Sequence, residues 1–416
     1  MTVKLPVRIL AVVFILIVSA CWVSATGAEG QRVHGVRLVY RVDRSGVPDW
    51  VQDDTLTLVV EVGPVLDVVA YADGEPVVCR YDGQHAFVSS VGETVELLLS
   101  GPQWTLGEIG AVEKAVLFDD KVWAVSMTLD DGFVSQATTG YAYLDRYDYD
   151  ATIAVVGSYI GRTVQGKAYA SAEQLQAVVD GGWRLSNHSF SHLRAAAIGD
   201  EIDIMRDLDN ANHLIRQAIP SYQPEMFTNP FVDQGFDPVV QHYVDELGFH
   251  LYQTLQWEGR QVDPGAIQLD DYAPLPIGRK QIAGDGSQFD QAHGWAVDQP
   301  GTHWWLSLHT HAIAPACDCV ETSSDYLYWT YGAGGTDEVW FAPAPAVLDY
   351  LMVRDRAVVT MVGAERIGER PSDPAMMAPA LDVEPEPAVQ RLVLPIAADA
   401  TIHSMTPTIA MVPTVG

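Results

Sequence analysis

From residue 118 onward, short strand-like runs alternate with helical stretches, and this alternation constrains the fold more than any other feature. The strand-like runs are VWAVSMTL, ATIAVVGS, GWRLSN, GFHLYQTL, HWWLSLH and AVVTMV. The predicted helices are 171–180, 200–219, 237–247 and 344–355. In the second of them, apolar residues recur at helical spacing at Ile202, Met205, Leu208, Ala211 and Ile215. The alternation predicts a parallel sheet or a (β/α) barrel over 118–365, in which functional side chains follow the ends of the strands.

Residues 32–115 have a different pattern, in which short alternating runs are separated by Gly, Asp and Pro. The runs are VRLVYRV, TLTLVVEV, LDVVAYA, PVVCRY, HAFVSSV and TVELLLS. Their spacing is typical of a small antiparallel sandwich. Because the segment has no cluster of His, Cys and carboxylates, we expect a sandwich-like accessory domain that does not carry the chemistry.

The N-terminus has the features of an export signal. Positive charges precede the apolar run ILAVVFILIVSA, so residues 1–28 are expected to be a secretory signal peptide. Two processing routes fit this segment. VSAC at 18–21 resembles a lipobox, which would attach a lipid anchor at Cys21, whereas VSA at 23–25 or TGA at 26–28 would release a soluble protein. The expected location is extracytoplasmic, either secreted or lipid-anchored at the cell envelope.

The chain is strongly acidic, and this limits its partners. Fifty-four Asp and Glu face 24 Lys and Arg, which gives a formal charge of -30. Such a balance argues against nucleic acid and against an anionic membrane surface as partners, apart from the lipid anchor. Residues 366–416 begin with a stretch rich in Pro, Ala and acids, and we expect them to be a linker and tail.

Three cysteines remain beyond the signal region: Cys79, Cys317 and Cys319. A solitary C-x-C is weak evidence for a metal or redox site. A disulfide from this pair to Cys79, or a free thiol, is the favoured interpretation for an exported chain.

Two of the strand-like runs end in groups that suit a metal ion. Asp130 and Asp131 end an apolar run, where two adjacent carboxylates repel each other and lose hydration. His188 and His192 follow another run, and one helical turn would bring them to the same point. Two His with one carboxylate suit Zn²⁺ with positions left for water and substrate, although Co²⁺ and Ni²⁺ accept the same set. Surface histidines and a solvated acidic turn are the alternatives.

A third run, WWLSLHTHAI, ends in His309 and His311. Alternation along an extended strand would place both rings on one side. A His at this position could act as a general acid, and a hydrogen-bonded structural His explains it equally well. Trp304 and Trp305 precede it and could supply a surface on which a sugar stacks, or pack in the core.

Together, these motifs resemble the polysaccharide deacetylases with a NodB-homology domain, carbohydrate esterase family four. TLDDG (128–132) resembles the first motif of that family, HSFSH (188–192) the second and LSLH (306–309) the fifth. The resemblance covers roughly 118–365. It implies a distorted (β/α) barrel and a divalent metal, most often Zn²⁺. It also implies hydrolysis of N- or O-acetyl groups from an acetylated polysaccharide or peptidoglycan.

The resemblance also implies roles for individual residues. Asp130 would be the catalytic base and His309 the general acid. Asp131, His188 and His192 would bind the metal. Two adjacent acids can then both stay ionised, because the cation neutralises one and its field keeps the other ionised.

The sequence departs from the family at its third and fourth motifs. Thr228 and Asn229 stand where an arginine and a proline are usual, and Phe231 replaces a tyrosine, although its backbone N–H could still serve the oxyanion. The missing arginine normally orients the base. The aspartate that normally pairs with the acid His has no clear counterpart, so support from Glu258 or His311 is expected instead.

Two other functions remain open at this stage. The departures fit a catalytically weak or inactive glycan-binding or cell-envelope module that retains the barrel. A metallohydrolase that cleaves another bond in the same pocket is the third hypothesis.

Overall fold

The computed structural model shows a parallel barrel joined to two antiparallel sheets. The described residues are 33–101, 109–256, 263–265, 267, 269, 273–282, 284–311, 313 and 319–370. Several predictions fall outside them: the signal peptide 1–28, the lipid anchor at Cys21, Glu258, Cys317 and the tail beyond Arg370.

The two antiparallel sheets share one core and form the N-terminal part of the fold. Their first eight strands are β1 (Val33–Asp43), β2 (Leu56–Glu61), β3 (Asp67–Ala72), β4 (Glu75–Val77), β5 (Cys79–Tyr81), β6 (His85–Ser90), β7 (Thr94–Gly101) and β8 (Val112–Lys114). One sheet runs β1–β7–β3–β4 and the other β5–β6–β2–β8. Leu38, Leu58 and Leu97 come from both sheets and pack in the same core. The predicted sandwich-like fold is confirmed.

The barrel contains seven parallel strands and is closed. The remaining strands are β9 (Trp123–Leu129), β10 (Thr152–Val155), β11 (Thr163–Val164), β12 (Lys167–Ala168), β13 (Arg184–Asn187), β14 (Met226–Thr228), β15 (Leu251–Gln256), β16 (Leu275–Gln281), β17 (Trp304–Thr310), β18 (Val339–Phe341) and β19 (Val358–Arg370). The order is β10–β13–β14–β15–β16–β17–β9, and β9 closes the ring by pairing with β10. β18 pairs with the first half of β9, and β11 and β12 form a separate hairpin. The predicted (β/α) barrel is confirmed.

Helices cover the outside of the barrel. They are α1 (Tyr141–Asp145), α2 (Ala172–Asp180), α3 (Ala195–Ile198), α4 (Glu201–Ala218), α5 (Asp237–His242), α6 (Val244–Leu247), α7 (Ser287–Asp298), α8 (Cys319–Thr330) and α9 (Ala344–Arg356). α2 begins with a capping box between Ser171 and Gln174, and Asp200 caps α4. α4 buries Ile204 in place of the predicted Ile202, which is exposed. Among the described residues, no helix is both long and apolar enough to cross a membrane.

The run AVVTMV is not a barrel strand, contrary to the sequence prediction. It begins β19, which pairs antiparallel with β1 at the edge of the first sheet. β9 is buried along its whole length, as a strand of a parallel barrel must be, whereas Val358, Met361 and Val362 are exposed. β19 also runs to Arg370, so the boundary predicted at residue 365 falls inside a strand.

Of the two alternatives for Cys79, the free thiol is confirmed and the disulfide is wrong. Cys79 is a free thiol, and burial raises its pKa to about 11. Cys319 is disulfide-bonded, and its partner lies outside the described residues.

Two acidic side chains are buried near the N-terminal ends of the barrel strands, away from the motifs described above. Glu225 precedes β14, and Asp349 lies in α9 with Arg184 Nη2 at 3.5 Å. Both carboxylate oxygens of Glu225 and Oδ1 of Asp349 have no hydrogen-bond partner among the described residues. Burial and the charge of Asp349 raise the pKa of Glu225, and burial raises the pKa of Asp349 to about 7.

These raised pKa values predict a pH-dependent stability. The folded chain binds more protons than the unfolded chain between about pH 4, where unfolded carboxyls titrate, and about pH 7. We therefore expect the free energy of unfolding to fall by on the order of 2 kcal/mol as pH rises through this window. Urea unfolding of Asp349→Asn should show a flatter pH profile. The exposed Asp245→Asn should leave the profile unchanged, and equal slopes in both variants would contradict this assignment.

Candidate metal centre and catalytic site

Asp130 and Asp131 follow β9 at the C-terminal end of the barrel. The backbone N–H of Asp130 donates to the carbonyl of Thr310 at 2.8 Å, which ties the pair to the end of β17. Asp131 has a φ of 84°, a region that is strained for a residue with a side chain. Both carboxyl groups are buried. The two carboxyl groups have thus lost their contact with water, and the backbone at Asp131 is in a strained conformation.

His188 and His192 lie in an irregular loop after β13, not in the predicted helical turn. Ser189 and His192 have φ values of 65° and 52°, so the segment is not helical. Two side chains accept hydrogen bonds from the backbone of this loop and stabilise its conformation. Asp207 Oδ2 accepts the N–H of Phe190 at 2.9 Å, and Asn187 Oδ1 accepts the N–H of Ser189 at 2.8 Å.

The three predicted metal ligands converge. One ligand atom each from Asp131, His188 and His192 lies within 4.8 Å of the others. Asp131 Oδ1 is 3.6 Å from His188 Nε2 and 3.1 Å from His192 Nε2. This oxygen is buried and accepts no hydrogen bond from any described residue. Burial alone would raise the pKa of Asp131, but the two histidines hold it well below its ordinary value.

The set fits a divalent transition metal. His188 Nδ1 lies 2.6 Å from the carbonyl of Thr228, so this nitrogen carries the proton and Nε2 is left with a lone pair. Two imidazole nitrogens and one ionised carboxylate are the donors that Zn²⁺ accepts while keeping open positions. A cation at this point would also satisfy the orphaned Oδ1 of Asp131.

Asp130 is paired with an arginine that the motif comparison missed. Arg279, in β16, is fully buried, and its Nη1 is 2.6 Å from Oδ1 and 2.7 Å from Oδ2 of Asp130. Its Nη2 donates to the carbonyl of Asn229 at 3.1 Å. Burial alone would raise the pKa of Asp130, but the charge of Arg279, with contributions from His188 and His309, lowers it. The carboxyl group of Asp130 is therefore ionised, although the usual arginine of the third motif is absent.

A buried glutamine, also missed from the sequence, joins the ends of β9 and β17. Gln136 Oε1 accepts the N–H groups of Gly132 and Phe133 at 3.1 and 3.0 Å. Its Nε2 donates to the carbonyls of Asp130 and His311. The side chain thus fixes the turn that carries both acids.

His309 and His311 both face this region. Their ring centroids are 6.0 Å apart, and His311 Nε2 is 3.8 Å from Asp130 Oδ2. His311 is half exposed, whereas His309 is buried with no described partner for Nδ1. Burial, followed by the charge of Arg279, lowers the pKa of His309 to about 4. The expected support from His311 is therefore electrostatic and acts on Asp130, and it does not replace an aspartate partner of His309.

The structure places neither Trp304 nor Trp305 at the site. Trp305 is 2% exposed, and its Nε1 donates to Ser126 Oγ inside the core. Trp304 begins β17, so it is about 16 Å along the strand from His309. Phe231 does lie at the site, because its ring centroid is 4.8 Å from that of His192 and its side chain is 49% exposed. Its φ of 58° adds another strained residue beside the metal ligands.

Comparison with known proteins agrees with the motifs. Residues 119–252 match the family model described as polysaccharide deacetylase. No curated protein matches the chain. Among solved structures, the chain is similar to the Xyl-CE4 domain of a multidomain xylanase from the hindgut metagenome of Trinervitermes trinervoides, with 13% identity and a TM-score of 0.36. That match covers 54% of this chain and 89% of the other.

Two further solved structures are similar over a comparable length. Peptidoglycan deacetylase PdaC from Bacillus subtilis has 16% identity and a TM-score of 0.33, covering 56% of this chain and 92% of that one. A family 4 carbohydrate esterase from Streptomyces lividans has 16% identity and a TM-score of 0.31, covering 49% of this chain and 87% of that one. The family model and the sequence motifs agree: within the barrel, residues 119–252 match the polysaccharide deacetylase family.

Proposed function

We propose that this protein is an exported, metal-dependent deacetylase that hydrolyses N- or O-acetyl groups of a polysaccharide or of peptidoglycan. The observation that carries the proposal is the convergence of Asp131, His188 and His192 beside an ionised, arginine-paired Asp130. Zn²⁺ is the favoured ion, with Co²⁺ or Ni²⁺ compatible with the same donors. Secretion, or anchoring by a lipid on Cys21, belongs to the same proposal and rests on the N-terminal sequence.

The chain supplies a place for the ion and a base beside it. When bound by Asp131, His188 and His192, a divalent ion supplies Lewis-acid activation of water and of the acetyl carbonyl. Asp130 removes a proton from the attacking water as the new C–O bond forms. Because Asp130 is ionised in the resting site, no prior deprotonation is needed. The backbone N–H of Phe231, at the mouth of the site, is assigned to the developing oxyanion.

Collapse of the intermediate needs a proton on the departing group. The C–N or C–O bond breaks, acetate leaves, and the amine or sugar oxygen takes up a proton. His309 is assigned this transfer. With a pKa of about 4 the ring is uncharged at neutral pH in the resting site. An uncharged His309 has no extra proton to give, so it must pass on the proton that Asp130 has taken from water. Asp130 and His309 interact electrostatically in the site.

Acetate release from defined substrates tests the proposal. We expect the full chain loaded with Zn²⁺ to release acetate from at least one of chito-oligosaccharides, acetylxylan and peptidoglycan. Asp130→Asn should lower kcat by about 10²–10⁴-fold because it removes the base, while the metal content stays the same.

The two other functions give different results in the same assay. A glycan-binding module would bind these polymers without acetate release, and its binding would be insensitive to Asp130→Asn. A hydrolase of another bond would cleave model esters or amides while leaving all acetylated glycans intact.

A further inference from the structure

A row of aromatic rings runs past the metal centre, and we call it the aromatic arc. It consists, in order, of Phe133, Tyr169, Tyr159, His192 and Phe231. Consecutive ring centroids are 4.9, 4.8, 6.3 and 4.8 Å apart. Phe133 and Tyr169 are buried, whereas Tyr159 and His192 are partly exposed and Phe231 is exposed. The exposed part of the arc therefore offers apolar ring faces to a sugar, and the buried part holds them in place.

The hairpin of β11 and β12 is fastened beside the two acids. Phe133 forms an isolated β-bridge with Tyr169, and the N–H of Ala170 donates to the carbonyl of Gly132 at 2.8 Å. Gly132 directly follows the metal ligand Asp131. The hairpin is therefore part of the wall of the site.

A cation lies over the ring at each end of the aromatic arc. Lys167 Nζ is 5.0 Å from the ring centroid of Phe133, and Arg194 Cζ is 5.1 Å from that of Phe231. Both side chains belong to exposed residues. Neither lies within 4.0 Å of a carboxylate in the part of the chain that the structure describes. A cation held over a ring keeps its charge and can still donate hydrogen bonds outward.

Two segments beside the site carry only positive formal charges, although the protein as a whole is negative. The chain carries a formal charge of -30, yet the two loops that hold these cations, 156–170 and 188–199, contain no Asp or Glu. Their charged residues are Arg162, Lys167 and Arg194, with the histidines of the metal motif. The acid fixed beside Arg194 is Asp233, whose Oδ2 accepts the N–H of Ala195 at 2.9 Å. Exposed cations at this point of a strongly negative protein can attract an anionic group to the edge of the site.

We propose that the aromatic arc and its two terminal cations, Lys167 and Arg194, form a subsite for a glycan whose sugars carry carboxylate groups. The acetylated sugar lies over the metal centre, and the carboxylates of flanking sugars reach the cations. The inference rests on the proposed function and names its substrate class as an acidic glycan. A uronic acid and a muramic acid whose lactyl group carries no peptide share this chemistry.

Binding of acidic and neutral oligosaccharides to the full chain tests this proposal without requiring turnover. The probes are galacturonate oligomers, N-acetylglucosamine oligomers of the same length and a muramic-acid-containing peptidoglycan fragment, each followed by calorimetry. We expect at least one acidic probe to bind more tightly than the neutral one. Raising NaCl from about 50 mM to about 500 mM should weaken only the acidic complex.

Variants of the two cations give the specific readout. Lys167→Ala and Arg194→Ala should each weaken binding of the acidic probe about threefold, and the double variant about tenfold. Arg206→Ala is the matched control, because Arg206 is an exposed cation paired with Asp203 on α4 and lies over no ring of the arc. It should bind every probe like the wild type.

The outcomes separate this inference from the deacetylase proposal. Equal binding of acidic and neutral probes, or unchanged acidic binding in the double variant, overturns the subsite even if neutral oligomers release acetate. Binding that depends on Lys167 and Arg194, without acetate release from any polymer, supports the subsite and counts against deacetylation. Preference between galacturonate and the muramic fragment identifies the source of the carboxylate.

Discussion

Replacing His188 by alanine should remove the bound divalent ion and lower kcat/KM by more than about a thousandfold, since Lewis-acid activation contributes several kcal/mol to such reactions. His188 is buried, its Nδ1 is held by the carbonyl of Thr228, and its Nε2 faces Asp131. No other described His or Cys joins this ligand set. The ion would keep one imidazole and one carboxylate, which is too few for tight binding.

Metal analysis of the purified protein checks this directly. Wild type and variant are stripped with a chelator, reloaded with Zn²⁺ and dialysed before the metal is counted. His242→Ala is the control, because His242 is an exposed histidine on α5 and its loss should change neither metal content nor activity. A His188→Ala protein that folds and retains one equivalent of metal would rule out the assigned ligand set.

The sequence could predict those parts of the site that lie close together in the chain. Asp130 and Asp131 are adjacent, and His188 and His192 are four residues apart, so each pair forms a recognisable motif at the end of an apolar run. Barrel topology then brings the ends of β9 and β13 to one face. The prediction that these pairs converge required no information about distant contacts.

Residues that act across the barrel could not be predicted in the same way. Arg279 is separated by 149 positions from its partner Asp130. Its strand, β16, contains Pro276 and Gly278 and lacks the continuous apolar pattern of a buried strand, so the strand was missed as well. β14 is only three residues long. β19 was misassigned because local pattern does not reveal that the chain returns to the first sheet after the barrel.

The position of Arg279 bears on whether the site is active or a relic. Loss of the third-motif arginine would leave Asp130 buried and unpaired, and desolvation would then push its pKa upward. In this chain a different strand supplies the guanidinium, and Asn229, at the altered motif, accepts from it through a backbone carbonyl. The charge on Asp130 is therefore preserved although the motif is not, which supports the proposal of an active enzyme over that of an inactive module.

This arrangement predicts a large and specific effect of Arg279→Met. The methionine has similar length but no charge, so Asp130 would be left as an uncompensated buried acid. We expect the free energy of unfolding to fall by about 3–5 kcal/mol at pH 7. We also expect kcat to fall, because a raised pKa protonates Asp130 and removes the base.

A double-mutant cycle separates the pair from ordinary packing. Asp130→Asn removes the buried charge, so Arg279→Met in that background should cost much less stability than in the wild type, while activity stays low in both. Urea unfolding of the four proteins at pH 7 measures the coupling energy. Each protein should also bind as much metal as the wild type, which would show that the metal ligands are intact. If Arg279→Met costs the same stability in the Asp130→Asn background as in the wild type, the guanidinium serves packing and not the charge of the base.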